Sequence, residues 1–152
     1  MQKLNFDLGL KEYEIGGGVL RFNPNDLNVY ARFGEAGKRL TAVEEKLIAK
    51  AKAAGEEAPG EVVLALMAEA DREVKDNLAW IFGGHNDFDA IFCGANVMSV
   101  ASNGERVITN FIHAIRPIVE AGAKKCAKQQ VNGALNKARK NRAQRRAEAH
   151  KK

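Results

Sequence analysis

Apolar residues between Val63 and Ile81 recur at the spacing of one face of an α-helix, and this stripe constrains the fold more than any other feature. Its members are Val63, Leu66, Met67, Ala70, Val74, Leu78 and Ile81. A stripe of about five turns predicts an amphipathic helix that must pack against other elements. Pro59 suits the start of this helix, and Gly83 with Gly84 suits its end. The acidic face is expected to be solvated; it comprises Glu69, Asp71, Glu73 and Asp76.

A second helical pattern precedes this stripe. Asn23 to Asp26 offer side-chain oxygens that can cap a helix beginning near Leu27. Its apolar positions are Leu27, Tyr30 and Phe33, followed by Leu40, Val43, Leu47 and Ile48. Thr41 and Glu44 have the spacing of a capping box, which would begin a separate helix. One uninterrupted helix through Gly37 is the alternative.

A third helical region follows the two glycines. The stretch 87–93 predicts a short helical turn, and the glycines and serines after it predict a loop. Ser102 and Glu105 form a second capping-box pattern before a longer helix. The apolar face of that helix comprises Ile108, Phe111, Ile112, Ile115, Val119 and Gly122. Pro117 has no amide hydrogen to donate, so we expect a kink there.

The first 22 residues are typical of strands. Between Leu4 and Phe22, Tyr13 and Ile15 alternate with charged residues, and the glycines at 16–18 permit a tight reversal. The predicted fold class is therefore mainly α: a small helical domain with an amino-terminal β-hairpin. We expect one globular domain over residues 1–123, with the hairpin in 1–22 and helices in 25–123, followed by a basic tail over 124–152.

Charge is divided sharply along the chain. Residues 124–152 hold 11 Lys or Arg and a single acid, Glu148, whereas residues 1–123 hold 13 basic and 18 acidic residues. The tail has no aromatic residue and cannot form a core, so we expect a fraying helix that orders on contact, or a disordered segment. Its candidate contacts to nucleic acid or an acidic partner are Lys137, Arg139, Lys140, Arg142, Arg145 and Arg146.

Chemistry-bearing residues are few and scattered. His85 lies near Asp87, Asp89 and Cys93, so a metal site or an acid–base centre is conceivable there, but a polar helix-capping loop is the favoured interpretation. No catalytic, cofactor-binding or metal-binding residue is predicted, and we expect the protein not to be an enzyme. Phe88, Phe92, Phe111 and Trp80 are expected in the core rather than around a ligand. The sequence shows no apolar signal or membrane-spanning run, which favours a cytoplasmic location.

Three segments carry a resemblance to a known family. They are the hairpin end Arg21–Asp26, the later Ile91–Gly94, and the helical segment Val107–Glu120. In this order, and over roughly residues 10–122, the chain resembles the small tail assembly chaperones of long-tailed bacteriophages of Gram-positive hosts. The resemblance implies a protein of the bacterial host cytoplasm that binds the tape measure protein, assists assembly of the tail tube protein, and is absent from finished virions. The basic tail lies outside the resemblance.

Partner contacts are expected on apolar side chains of the helical stripes that remain exposed. The candidates are Met67, Phe88, Phe92 and Met98, although a place in the core is the favoured interpretation for each of them. Two alternatives to the chaperone stay open: a nucleic-acid-binding protein that acts through its tail, and a structural component of the phage tail. Self-association is also expected, because a short chain with several amphipathic helices can leave one apolar face uncovered.

Overall fold

A computed structural model describes residues 1–151. The elements in chain order are the strands β1 (Lys11–Ile15) and β2 (Gly18–Phe22) and the helices α1 (Leu27–Ala54), α2 (Gly60–Phe82), α3 (Phe88–Ile91) and α4 (Val107–His150). The predicted class is confirmed: the fold is mainly α, with a two-stranded antiparallel hairpin at its amino-terminal side.

The hairpin is shorter than expected. β1 and β2 pair with Ile15 opposite Gly18 and Lys11 opposite Phe22. Residues 1–10, part of which we expected as strand, have no regular secondary structure and are fully on the surface. The sequence there has the alternation of side chains that a strand needs, but a strand also needs a neighbouring backbone to bond with, and here none lies alongside.

Three glycines let the hairpin turn lie against α3. Gly16 has a positive φ of 58°, and a Cβ built on it would collide with the carbonyl group of Ile91. The amide of Gly17 donates to that same carbonyl at 3.2 Å. The glycines therefore serve a close backbone approach as well as the reversal of the chain.

The first long helix runs without interruption. α1 contains 28 residues, with Asp26 as its cap accepting from the amide of Asn28 at 2.9 Å. The alternative of one helix through Gly37 is confirmed, and the capping box at Thr41 is wrong. Thr41 Oγ1 instead donates to the carbonyl of Gly37 at 2.8 Å, a bond made inside a helix.

The buried face of α1 differs in part from the predicted one. Val29, Phe33, Ala36 and Val43 are buried. Leu27 and Tyr30, which the apolar pattern assigns to the core face, are about half exposed. A three-residue step advances 300° round a helix, so Leu27, Tyr30 and Phe33 drift off a common line, and the structure buries only the last of them.

The long stripe forms α2 as predicted, and α1 and α2 pair as an antiparallel helical hairpin. Ala70, Val74, Leu78 and Ile81 are buried, and Phe82 joins them. The acidic face is only partly solvated: Asp71 and Glu73 are half-buried, and ion pairs engage Asp71, Glu73 and Glu69.

Aromatic rings form the centre of the core. Phe82 lies 5.1 Å from Phe22 and 6.2 Å from Phe111, measured between ring centroids, so α2, β2 and α4 meet there. Phe33 of α1 lies 6.3 Å from the same Phe82 ring. Such edge-to-face contacts fix the relative orientation of the elements more tightly than aliphatic packing alone.

The last helix begins later than expected and extends further. The Ser102–Glu105 capping box is wrong, because α4 starts at Val107 and the amide of Glu105 donates to Asn103 Oδ1 at 3.1 Å. Pro117 lies inside α4. The last buried residue of α4 is Ala123, yet the helix continues to His150. We call residues 124–150 the basic arm.

No helix within residues 1–151 has the length and apolar character needed to cross a membrane.

Candidate partner-binding surfaces

The predicted apolar contact residues lie mostly in the core. Phe88, Phe92 and Met98 are buried, which agrees with the favoured placement in the core, and of the four candidates Met67 alone is partly exposed. Phe92 lies 5.2 Å from the ring of Phe111, and Phe88 lies 6.5 Å from it. The loop after α3 is held to α2, where the amide of Val97 donates to Asp71 Oδ1 at 2.8 Å, and the three buried side chains belong to the main core.

The exposed apolar surface lies instead at the end of the helical hairpin. We call it the apolar tip; it comprises Ile48 in the last two turns of α1 and Val62, Val63 and Leu64 in the first two turns of α2. Leu64 is 71% exposed and Val63 is 50% exposed. Three consecutive apolar residues cannot all face one side of a helix, and this run was the sequence signal that could have located the tip.

The tip projects beyond the contacts that tie the helical hairpin to the rest of the domain. Arg106 Nη2 lies 3.0 Å from Glu44 Oε1, and Asn96 Nδ2 donates to the carbonyl of Met67 at 2.9 Å. Within the described chain, residues 45–66 form no hydrogen bond or ion pair with elements outside the helical hairpin. The apolar tip is therefore free on its outer sides.

Ion pairs hold the two helices of the tip together. Lys46 Nζ lies 2.5 Å from Glu73 Oε1, and Lys50 Nζ lies 2.7 Å from Glu69 Oε1. The hydrogen bond to Glu73 raises the pKa of Lys46, and the hydrogen bond from Lys50 lowers the pKa of Glu69. Glu73 is half-buried and the other three side chains are more than 40% exposed, so these pairs orient the helices more than they stabilise them.

A buried cation anchors the helical hairpin to α3. The side chain of Lys75 is 4% exposed, and its Nζ lies 2.9 Å from Asp71 Oδ2 and 2.8 Å from Asp89 Oδ1. Burial opposes the charged form of Lys75, but the hydrogen bonds to Asp89 and Asp71 outweigh it and raise its pKa. The apolar stripe does not indicate this lysine, although its position next to Val74 places it near the core face.

The residues around His85 make separate contacts. His85 Nε2 donates to the carbonyl of Arg21 at 3.0 Å, and Asp87 Oδ1 accepts from the amide of Ala90 at 3.0 Å, which caps α3. Asp89 is engaged by Lys75, and Cys93 is exposed. No group of three or more His, Cys, Asp or Glu side chains within residues 1–151 is arranged to hold a metal ion.

The basic arm presents all its predicted contact residues to solvent. Lys137, Arg139, Lys140, Arg142, Arg145 and Arg146 are exposed. At about 100° per residue, they are distributed round the helix rather than along one side. The arm is therefore a positively charged rod, suited to contact with a negative surface from several directions.

No family model, curated protein or solved structure matches the chain.

Proposed function

We propose that the protein is a non-catalytic assembly chaperone that shields an apolar helical face of a partner, and that this partner is the tape measure protein of a long-tailed phage. The observation that carries the proposal is the apolar tip, where four large aliphatic side chains are exposed round the free end of a helical hairpin. Exposed aliphatic patches on small proteins usually mark surfaces that bind other proteins. The choice of the tape measure protein as partner is supported by the resemblance of three segments, Arg21–Asp26, Ile91–Gly94 and Val107–Glu120, to phage tail assembly chaperones.

The geometry of the tip suits a helical partner. Two antiparallel helices leave a groove between them, and a third amphipathic helix can lay its apolar face into such a groove. The groove at the base of the tip is lined by Val43, Leu47, Leu66 and Ala70, and Lys46 and Lys50 of α1 pair with Glu69 and Glu73 of α2 at its edges. An apolar floor with charged rims supports binding that is specific in orientation and reversible.

Binding of a tape measure fragment to the purified protein tests the proposal. Leu64→Asp places a charge in the tip, and we expect it to weaken the fragment's affinity by about tenfold or more, since burial of one leucine is worth roughly 1.5–3 kcal/mol. Leu27→Asp is the matched control, because Leu27 is 50% exposed and lies at the opposite end of the helical hairpin. Equal affinity of both variants, or no binding by the wild-type chain, would contradict the proposal.

Composition of the finished phage particle separates the chaperone from a structural tail component. A chaperone leaves the assembly, so mass spectrometry of purified virions should detect the tape measure protein without this chain. A fixed stoichiometric amount in virions would identify a structural component instead.

The basic arm favours nucleic-acid binding as a second candidate function. Its exposed charge can release counterions from a phosphate backbone, and such binding weakens steeply with salt. Replacing the six arm residues Lys137, Arg139, Lys140, Arg142, Arg145 and Arg146 by Gln keeps helix propensity. If all six contact phosphates, the slope of log affinity against log salt should fall by about 5 for duplex DNA. Salt-independent binding, or none, would exclude this function.

A further inference from the structure

One side of the basic arm is apolar for about three turns and then basic. Val131 is 59% exposed and Leu135 is 51% exposed. At about 100° per residue, they share this side of the helix with three alanines and, further along, with Arg142 and Arg145. The alanines are Ala127, Ala134 and Ala138. We call this side the arm stripe; it has the pattern of a helix that docks into an apolar groove.

The apolar tip ends in exposed acidic residues. Glu56 and Glu57 lie in the link between α1 and α2, and Glu61 follows in the first turn of α2. We call these three residues the acidic loop. None of them forms an ion pair within residues 1–151, and Lys52 in the last turn of α1 offsets only one of the three charges. The tip and its loop therefore have the same order as the arm stripe, apolar and then charged, with the opposite sign of charge.

The arm leads away from the tip of its own copy, because α4 runs antiparallel to α1. Arg106, just before α4, pairs with Glu44, whereas Gly122 lies against Pro24, which precedes α1. Beyond Gly122 the helix continues unbroken to residue 150, over about 40 Å. Ile48 lies in the other direction, about 30 Å along α1 from its start. A copy cannot cover its own tip with its own arm while α4 stays helical.

A second copy placed antiparallel to the first brings each arm to the other copy's tip. α1 contains 28 residues and the arm spans residues 124–150, so each is about 40 Å long. In this arrangement the arm of one copy runs in the same direction as α1 of the other. Its apolar turns then lie beside Ile48 and Val63, and its arginines reach the acidic loop beyond them. Two-fold symmetry makes the two contacts identical.

We infer that the arm stripe of one copy docks on the apolar tip of a second copy, in a reciprocal dimer that covers both tips. The inference rests on the proposed function only in taking the tip as a surface that binds a helix. Opposite charges on the arm stripe and the acidic loop bring the two surfaces together and set the direction of the arm. Like charges oppose the other pairings of two copies, tip with tip and arm with arm.

Two variants that damage opposite sides of the contact test the inference. Sedimentation over a dilution series should show a monomer–dimer equilibrium for the wild-type chain. Leu64→Asp in the tip and Leu135→Asp in the arm stripe should each weaken it by about tenfold or more, since a leucine is lost from each contact. A mixture of the two variants keeps one intact contact, so it should dimerise more tightly than either variant alone. A monomeric wild-type chain, or a mixture without this recovery, would overturn the inference.

Asn136→Asp is the matched control for Leu135→Asp. It brings the same charge to the arm, but Asn136 lies about 100° round the helix from Leu135 and outside the arm stripe. The control should dimerise nearly as tightly as wild type, and equal weakening by both variants would contradict docking of the stripe. Both residues are exposed, so the melting temperature of the dilute chain should stay unchanged. Replacing all three residues of the acidic loop by Gln should weaken the dimer and reduce its dependence on salt.

A chain with two new cysteines distinguishes two copies from one. In a background of Cys93→Ser and Cys126→Ser, oxidation of a chain with Val63→Cys and Leu135→Cys should give a disulfide-linked dimer. A disulfide-closed monomer as the main product would overturn the inference. Hydrogen exchange at residues 127–138 should slow as the protein concentration rises through the dimer range.

These measurements use no tape measure fragment, so they can fail separately from the proposed function. A fragment that binds a wild-type chain found to be monomeric would end this inference and leave the proposed function standing. A dimer that forms as described but binds no fragment would support the arm contact and contradict the proposed function.

Discussion

The Lys75 ammonium lies 2.8 Å from Asp89 Oδ1 and so joins the middle of α2 to α3. The lysine is buried, whereas the aspartate is more than half exposed. Burial of a cation is costly, and the structure compensates it with two carboxylates and the carbonyl of Ala95 at 3.4 Å. This arrangement fixes α3 and the loop after it over the aromatic core.

Lys75→Met should lower the free energy of unfolding by about 3 kcal/mol. The methionine keeps much of the aliphatic stem, but Asp71 is left partly buried without its cation, and breaking a buried pair typically costs about 3–5 kcal/mol. Urea denaturation followed by circular dichroism measures the change. Arg72→Gln is the control, because Arg72 pairs with the same Asp89 from an exposed position and its loss should change little. An unchanged midpoint for Lys75→Met would contradict this account of the anchor.

Stability should fall in acid through the same anchor. The hydrogen bonds from Lys75 and Arg72 lower the pKa of Asp89, so its carboxylate stabilises the fold above the ordinary pKa of about 4, and the contribution is lost as pH falls through the lower folded value. At the alkaline end, the raised pKa of Lys75 means that its contribution is complete below about pH 10 and is lost at higher pH.

Urea midpoints at a series of pH values check this dependence. Asp89→Asn should reduce stability at pH 7 and should differ less from wild type as pH falls below about 4. Asp76→Asn removes an exposed acid of α2 and should follow the wild-type curve. A constant difference between Asp89→Asn and wild type at all pH values would show that the charge of Asp89 is not the cause.

Long-range packing explains where the sequence-based predictions succeeded and where they failed. The stripe ending at Ile81 is periodic over many turns, so the pattern alone predicted α2. Two capping boxes failed although Thr41 and Ser102 have the right spacing. Thr41 lies inside the continuous α1 and donates to the carbonyl of Gly37, and the amide of Glu105 donates to the side chain of Asn103. Phe88 was expected in the core and is buried there. The burial of Met98 depends on the loop around Asn96 and Val97, which hydrogen-bonds to α2, and the local sequence pattern does not show that contact.

The failure at residues 4–10 has a different physical origin. Local alternation indicates a preference for strand, but a strand forms only where a second backbone lies beside it. The apolar tip was missed because the helical pattern predicted burial for Val63 and Ile48. Both belong to apolar stripes, but the two helices extend beyond the part of the domain that would cover them. The sequence therefore specified the helices well and the exposed surfaces poorly.

Gly122→Ala should destabilise the fold although alanine favours helix. A Cβ on Gly122 would collide with the carbonyl of Pro24, in the link between β2 and α1, and that backbone cannot move freely. Overpacking of this kind costs about 1–3 kcal/mol, more than the roughly 1 kcal/mol that alanine gains in a helix. Gly133→Ala is the matched control, since it belongs to the same helix and a Cβ added there would meet nothing within 4 Å. Thermal unfolding should show a lower Tm for the first variant only.

The basic arm should be a helix whose order depends on salt. Its attachment to the packed part of α4 removes the cost of nucleating a new helix, so propagation alone decides how far it extends. Like charges one turn apart oppose propagation of the helix. Examples are the pairs Lys124 with Lys128 and Arg142 with Arg146, and each such pair costs roughly 0.2–0.5 kcal/mol.

Added salt screens that repulsion, so the helical signal should rise with ionic strength while the Tm of the core changes little. Hydrogen exchange of the dilute protein locates the effect: amides of residues 107–123 should be strongly protected, and protection should decline along 127–150 because every residue of that stretch is exposed. Ala134→Pro should remove helical signal from the arm without lowering the Tm, since Ala134 is exposed. Strong protection throughout the arm in the isolated protein would instead reveal a packing partner for this helix.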